Sequence, residues 1–172
     1  IVITISGVGI DPVDRLVMQT IARNVQDTML SWNVTVDPCN PCDNCAVWEG
    51  VTCDALPNPK PNYIGHVTNI LLKGDFKGSL NLEYFALLSE LPYLLSLSVA
   101  NTVFYGTLPS EWGKITTLTF LSIDAVGLTG SLPESWSSLV QLECLDLSID
   151  EHLTGTLPSS WYQMKSLKYL SL

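Results

Sequence analysis

The chain has 172 residues, of which 47% are apolar and 15% charged, and a net charge of −9. This length suits one domain, and the apolar content excludes a disordered acidic tail. The acidic balance argues against nucleic acid and anionic membrane surfaces as partners, and no stretch reaches the roughly 18 apolar residues of a transmembrane helix.

Ile1 to Ile10 is apolar but short. It reads as the trailing part of a signal peptide or as a mature segment lying on the core, and the second reading is preferred. With Ile1 in place of an initiator methionine, a mature or trimmed product is expected. Asp11-Pro12 is a helix start, an Asp that can cap followed by a Pro at the first helical position. The run to about Leu30 then places Val13, Leu16, Val17, Ile21, Val25 and Met29 at helical spacing. A helix over about residues 11–30 is therefore expected, its apolar face turned to the first repeats.

Cys39, Cys42, Cys45 and Cys53 fall within fifteen residues, and Cys144 stands alone. Paired thiolates could hold zinc, but the Cys45 to Cys53 interval is wide, and disulfides are the better reading. They imply an oxidising compartment. The sequon Asn33-Val34-Thr35, a candidate glycosylation site at Asn33, points the same way. Residues 1–62 thus read as a disulfide-pinned N-terminal cap with a short strand at Val51-Thr52-Cys53. Pro57, Pro59 and Pro61 form a stiff connector out of it.

Residues 63–172 are repetitive. Leu94-Leu95-Ser96-Leu97-Ser98-Val99 recurs as Leu118-Thr119-Phe120-Leu121-Ser122-Ile123, Leu142-Glu143-Cys144-Leu145-Asp146-Leu147 and Leu167-Lys168-Tyr169-Leu170-Ser171-Leu172, at intervals of 24, 24 and 25 residues. Val67-Thr68-Asn69-Ile70-Leu71-Leu72 fits the same frame one unit earlier. Such a period with L-x-x-L-x-L marks a leucine-rich repeat solenoid. The expected fold class is α/β: a parallel sheet on the concave face, short helical turns on the convex side and a helical, disulfide-bonded cap. A second phrase links the strands: Gly106-Thr107-Leu108-Pro109-Ser110-Glu111-Trp112, Gly130-Ser131-Leu132-Pro133-Glu134-Ser135-Trp136 and Gly155-Thr156-Leu157-Pro158-Ser159-Ser160-Trp161. The Gly permits a turn, the Leu re-enters the core, and the Pro starts a short helical turn that the Trp closes. The Trp series reads as packing, with an aromatic sugar-binding ladder as the lesser alternative. In the first unit, residues 80–88 are the most helix-like. The chain ends inside a strand at Leu172, so it either continues or was cut there.

The cap phrase Leu30-Ser31-Trp32, then Cys45, Trp48 and Gly50-Val51-Thr52-Cys53, resembles the N-terminal cap of plant-type leucine-rich repeat proteins. The L-P-x-x-W phrase resembles the trypanosomatid surface antigens, the promastigote surface antigens of Leishmania and their trypanosome relatives. The match covers roughly residues 28–172. It implies an extracellular or cell-surface coat protein, often lipid-anchored, in contact with a host, and it carries no catalytic residues. It also implies that Cys45 pairs with Cys53, leaving Cys39 to pair with Cys42. The chain departs from the plant pattern at Thr102, Val126 and Asp150, where the usual Asn ladder would stand.

Strand alternation turns one set of side chains outward onto the concave face: Asn69, Leu71 and Lys73; Ser96, Ser98 and Ala100; Phe120, Ser122 and Asp124; Cys144, Asp146 and Ser148; Tyr169 and Ser171. Repeat proteins usually bind there, and Phe120 and Tyr169 are the large anchors an interface would use. A protein ligand is therefore the expected partner, with no nucleic acid and with membrane contact only through an anchor outside this chain. Asp124 and Asp146 fall out of line for acid–base work, Cys144 has no base beside it, and no phosphate loop or metal cluster is legible. An enzyme, a cofactor and a metal are not expected.

Overall fold

The computed structural model describes residues 9–24, 39, 50–54, 64–73, 80–102, 104–125, 127–147 and 152–172. In chain order the strands are β1 (Gly9–Ile10), β2 (Val51–Cys53), β3 (Ile64–Gly65), β4 (Val67–Lys73), β5 (Leu80–Asn81), β6 (Ser96–Thr102), β7 (Phe104–Thr107), β8 (Phe120–Ala125), β9 (Leu128–Ser131), β10 (Cys144–Asp146), β11 (Leu153–Thr154) and β12 (Tyr169–Ser171). One α-helix, α1 (Pro12–Asn24), follows β1. Four 3-10 helices, at Leu82–Glu90, Ser110–Lys114, Glu134–Ser138 and Ser159–Gln163, alternate with the later strands.

Asp11 starts α1 as its sequence position predicts: its Oδ1 accepts the Val13 amide at 2.8 Å. The described helix ends at Asn24, and residues 25–30 lie outside the described residues. Its buried face differs from the expected one. Val17 and Ile21 are buried as expected, but Val13 and Leu16 are 54% and 63% exposed, and the helix buries Asp14, Met18 and Ala22 in their place. The rotation has a polar cause: the Asp14 carboxylate turns inward to accept the Val67 amide at 2.7 Å.

The main sheet runs β12-β10-β8-β6-β4-β2. Its pairs are parallel except β2, which closes the N-terminal edge antiparallel to β4. The repeat frame holds through it: Ile70, Leu72, Leu97, Val99, Leu121, Ile123, Leu145 and Leu147 point inward and are fully buried. A second parallel sheet, β11-β9-β7-β5, packs on the side of the core that sequence reading left as turns. Phe104 and Leu128 are its buried side chains. The glycine two residues before each Leu-Pro, Gly106 in β7, Gly130 in β9 and Gly155 just after β11, has positive φ. At Gly106 (φ 100°) a Cβ would lie 2.5 Å from the Asn81 side-chain oxygen, so only glycine fits.

The three Trp residues fill the third wall. Trp112, Trp136 and Trp161 are 0%, 0% and 6% exposed. Their rings stack at 6.2 and 6.1 Å between centroids, with planes 13° and 11° apart. Each indole N–H also reaches back one unit: Trp112 donates to the Phe85 carbonyl at 2.9 Å, Trp136 to the Pro109 carbonyl at 3.0 Å and Trp161 to the Pro133 carbonyl at 3.0 Å. The Pro therefore has two roles: it sets the turn, and its carbonyl holds the next unit's Trp. Each bond contributes about 1 kcal/mol net. The sugar-ladder alternative is overturned, because these rings are packed in the core and present no stacking face to solvent.

The cap disulfide joins Cys39 to Cys53, with Cα atoms 5.6 Å apart, within the ordinary bridging range. This corrects the pairing of Cys45 with Cys53, and with it that of Cys39 with Cys42. The physical reason is that Cys39 and Cys53 both pack against the apolar core at the edge where β2 joins the sheet. In the chain-entropy account a loop of this length contributes about 3 kcal/mol. Cys42, Cys45 and Asn33 lie outside the described residues. The architecture is a leucine-rich repeat solenoid with a cap stitched onto its first strand.

Candidate functional site

The concave face is built by strand register. Asn69 pairs with Ser96, Ser96 with Phe120, Phe120 with Cys144, and Cys144 with Tyr169. These five side chains form one row straight across the sheet. A second row runs Leu71, Ser98, Ser122, Asp146, Ser171. Parallel strands stand about 4.8 Å apart, so each row spans roughly 19 Å, the reach of about six extended residues.

The rows differ in relief. Phe120 is 38% and Tyr169 52% exposed, while Ser96, Ser98, Ser122 and Cys144 are half-buried between them. Phe120 and Tyr169 flank Cys144 two strands apart, about 10 Å, leaving a notch one small side chain wide. Asp146 is level with Ser122 and so stands one row from Cys144 and away from Asp124, which falls in the register shift of β6 and β8 between the pairs Val99 with Ile123 and Thr102 with Ala125. The carboxylates Asp124 and Asp146 are therefore not brought together. Lys73 pairs through its backbone with Ala100 at the end of β4, and Ser148 lies outside the described residues.

Cys144 is a free thiol. Burial raises its pKa, and the neighbouring Asp146 carboxylate adds to the shift, so the thiol holds its proton at neutral pH. A protonated thiol is a poor nucleophile and a poor metal ligand. An open groove lined by Glu83, Thr107, Leu108, Pro109, Glu111 and Pro133 lies between the second sheet and the 3-10 turns; no residue of the two rows lines it.

Sequence reading missed one polar constellation, Asp11, Asp14 and His66, which the cap and the first strand assemble around the start of α1. A signal for it exists. Asp14 stands three, four and seven positions before Val17, Met18 and Ile21, which places a carboxylate on the buried stripe.

No protein-family model matches the chain. A probable leucine-rich repeat receptor-like serine/threonine-protein kinase of Arabidopsis thaliana is 33% identical over 107 residues, covering 59% of this chain and 10% of that protein. The chain thus spans about a tenth of the length of the curated relatives it matches. Among solved structures, the ectodomain of the receptor kinase SOBIR1 from Arabidopsis thaliana aligns with a TM-score of 0.67 at 23% identity, covering 95% of this chain and 80% of that one. A plant ice-binding protein aligns with a TM-score of 0.74 at 23% identity, covering 95% and 48%. At these identities the structural likeness establishes the fold, a leucine-rich repeat solenoid. Among the described residues no helix is long and apolar enough to cross a membrane.

Proposed function

We propose that the chain is a recognition module of an extracellular or cell-surface leucine-rich repeat protein. It holds a protein or peptide partner along the row Asn69, Ser96, Phe120, Cys144 and Tyr169. The observation that carries this reading is the contrast within one sheet. Two large aromatic side chains stand exposed around small half-buried neighbours, while the three indoles of the opposite wall are consumed in packing. Lys73, Ser98, Ser122, Asp124 and Asp146 lie on the same strands, and Ser148, outside the described residues, is assigned to the face by the sequence alternation alone. With a net charge of −9, the partner suited to this face is an apolar or cationic segment. Residues 1–62 serve as cap and 63–172 as the binding solenoid. A glycan on Asn33 belongs with the extracellular reading, and membrane attachment comes only through a part outside this chain. No reaction or cofactor enters it.

The narrower identity has two forms. A parasite surface antigen in host contact is supported by the L-P-x-x-W phrase. A plant-type receptor ectodomain is supported by the 33% identical receptor-like relative, and a secreted inhibitor is the variant of it suggested by the plant-type cap phrase alone. A structural coat element without a ligand is the opposing reading.

Peptide display separates them. Libraries selected on the immobilised chain and counter-selected on the Phe120→Ala/Tyr169→Ala double variant should yield peptides held by the wild type alone. No enrichment over the double variant would favour the coat element.

A further inference from the structure

The constellation at the start of α1 is assembled from three sides by the backbone. The Asp11 amide donates to the Gly65 carbonyl at 2.8 Å, next to the pairing of β1 with β3. The Asp14 Oδ2 accepts the Val67 amide, and the Asp54 carboxylate accepts the amide of His66. Tyr93 lies against the His66 imidazole at 4.1 Å between ring centroids. One ligand atom from each of Asp11, Asp14 and His66 lies within 4.8 Å of the other two.

Two of its buried polar atoms have no protein partner. Asp14 is 0% exposed, yet its Oδ1 has no hydrogen-bond partner, and the buried Nδ1 of His66 has none either. Nδ1 stands 3.5 Å from Asp14 Oδ2, beyond the range of about 2.7–3.2 Å for an N–H to oxygen hydrogen bond. That gap is close to the edge of a tetrahedral metal site: with metal–ligand distances of about 2.0–2.1 Å, ligand atoms stand about 3.4 Å apart. Asp11 spends Oδ1 on the helix cap, which leaves Oδ2 free to turn into the cluster.

We propose that Asp11, Asp14 and His66 bind a divalent transition-metal cation, with Zn²⁺ the best match, which fastens α1 to the first strand of the solenoid. Two carboxylates and one imidazole form a borderline donor set that suits Zn²⁺, with a fourth position open on the side where His66 and Asp11 reach solvent. A cation answers the electrostatic problem of the site as well. Burial raises the Asp14 carboxyl above its ordinary value, with the Val67 amide and His66 acting against that rise. A bound dication offsets the desolvation and brings both orphaned atoms within reach of a partner.

The test is a titration of the whole chain with Zn²⁺ after its free thiols have been alkylated, read by calorimetry and by thermal unfolding with and without chelator. Asp11→Asn is the informative variant, because Asn caps a helix as well as Asp. The wild type should take up one Zn²⁺ and unfold several degrees higher with it. Asp11→Asn should bind about tenfold more weakly or worse, and His66→Gln should not bind. No saturable uptake, or equal affinity in wild type and Asp11→Asn, would overturn the proposal. If His66→Gln does not fold, the Asp11→Asn comparison decides alone.

Discussion

The two ends of the molecule are held together in different ways. From Trp112 to Trp161 the same contacts recur from unit to unit. An indole stacks on the indole of the previous unit and bonds to its carbonyl, and Thr119, Thr129 and Thr154 hydroxyls reach back one unit in the same manner. Between Ile10 and Leu72 the described residues hold by contacts of different kinds that do not repeat: a disulfide, a buried carboxylate and an antiparallel edge strand. A repeated contact couples neighbours and lets the stack share load. A single contact has no substitute nearby. The solenoid should therefore lose most where a repeat is broken in the middle, and the cap should lose its attachment through one residue.

The largest expected effect is Trp136→Ala. It removes a fully buried ring from the middle of the stack together with its bond to Pro109, and should cost about 3–5 kcal/mol in denaturant unfolding. A loss below about 1 kcal/mol would mean that the stack does not couple the units. Asp14→Ala comes next. It strands the buried Val67 amide and should cost about 1–3 kcal/mol. Asp14→Asn, which keeps an acceptor, should cost less. The same pair sharpens the account through pH. Folding raises the Asp14 carboxyl, so its contribution to stability is present in acid and is lost as pH rises through the folded-state value. With chelator present, the stability difference between wild type and Asp14→Asn should follow that course. Cys144 should alkylate slowly at neutral pH and accelerate at higher pH than an ordinary thiol, because its thiolate is disfavoured. The smallest effect is that of Phe120→Ala on stability, within about 0.5 kcal/mol because the ring faces solvent. A large loss would place the strand frame one residue out.

The same division governs what could be read from the sequence. The strand frame was legible because one error of register would have exposed every inward Leu at once, so Leu97, Leu121 and Leu145 fix each other's positions. The helix start was legible from Asp11-Pro12 alone. The second sheet was not: β5 and β11 are two residues long, and their pairing depends on neighbours that only the coiled chain supplies. The link between each Pro carbonyl and the next Trp was hidden because backbone acceptors leave no residue signature. In the cap, Asp14 and Val67 are 53 positions apart, and four nearby cysteines do not encode their own pairing. The concave row was read residue by residue from the alternation, whereas the metal-ligand constellation needed the fold.

The proposed recognition face stands or falls on one affinity ratio. A peptide selected on the wild type should bind the Phe120→Ala/Tyr169→Ala variant at least about tenfold more weakly, since hot-spot aromatics carry about 2 kcal/mol or more each, while the two proteins melt at the same temperature. Equal affinity for both, with melting unchanged, would place the partner elsewhere and contradict the concave-face account.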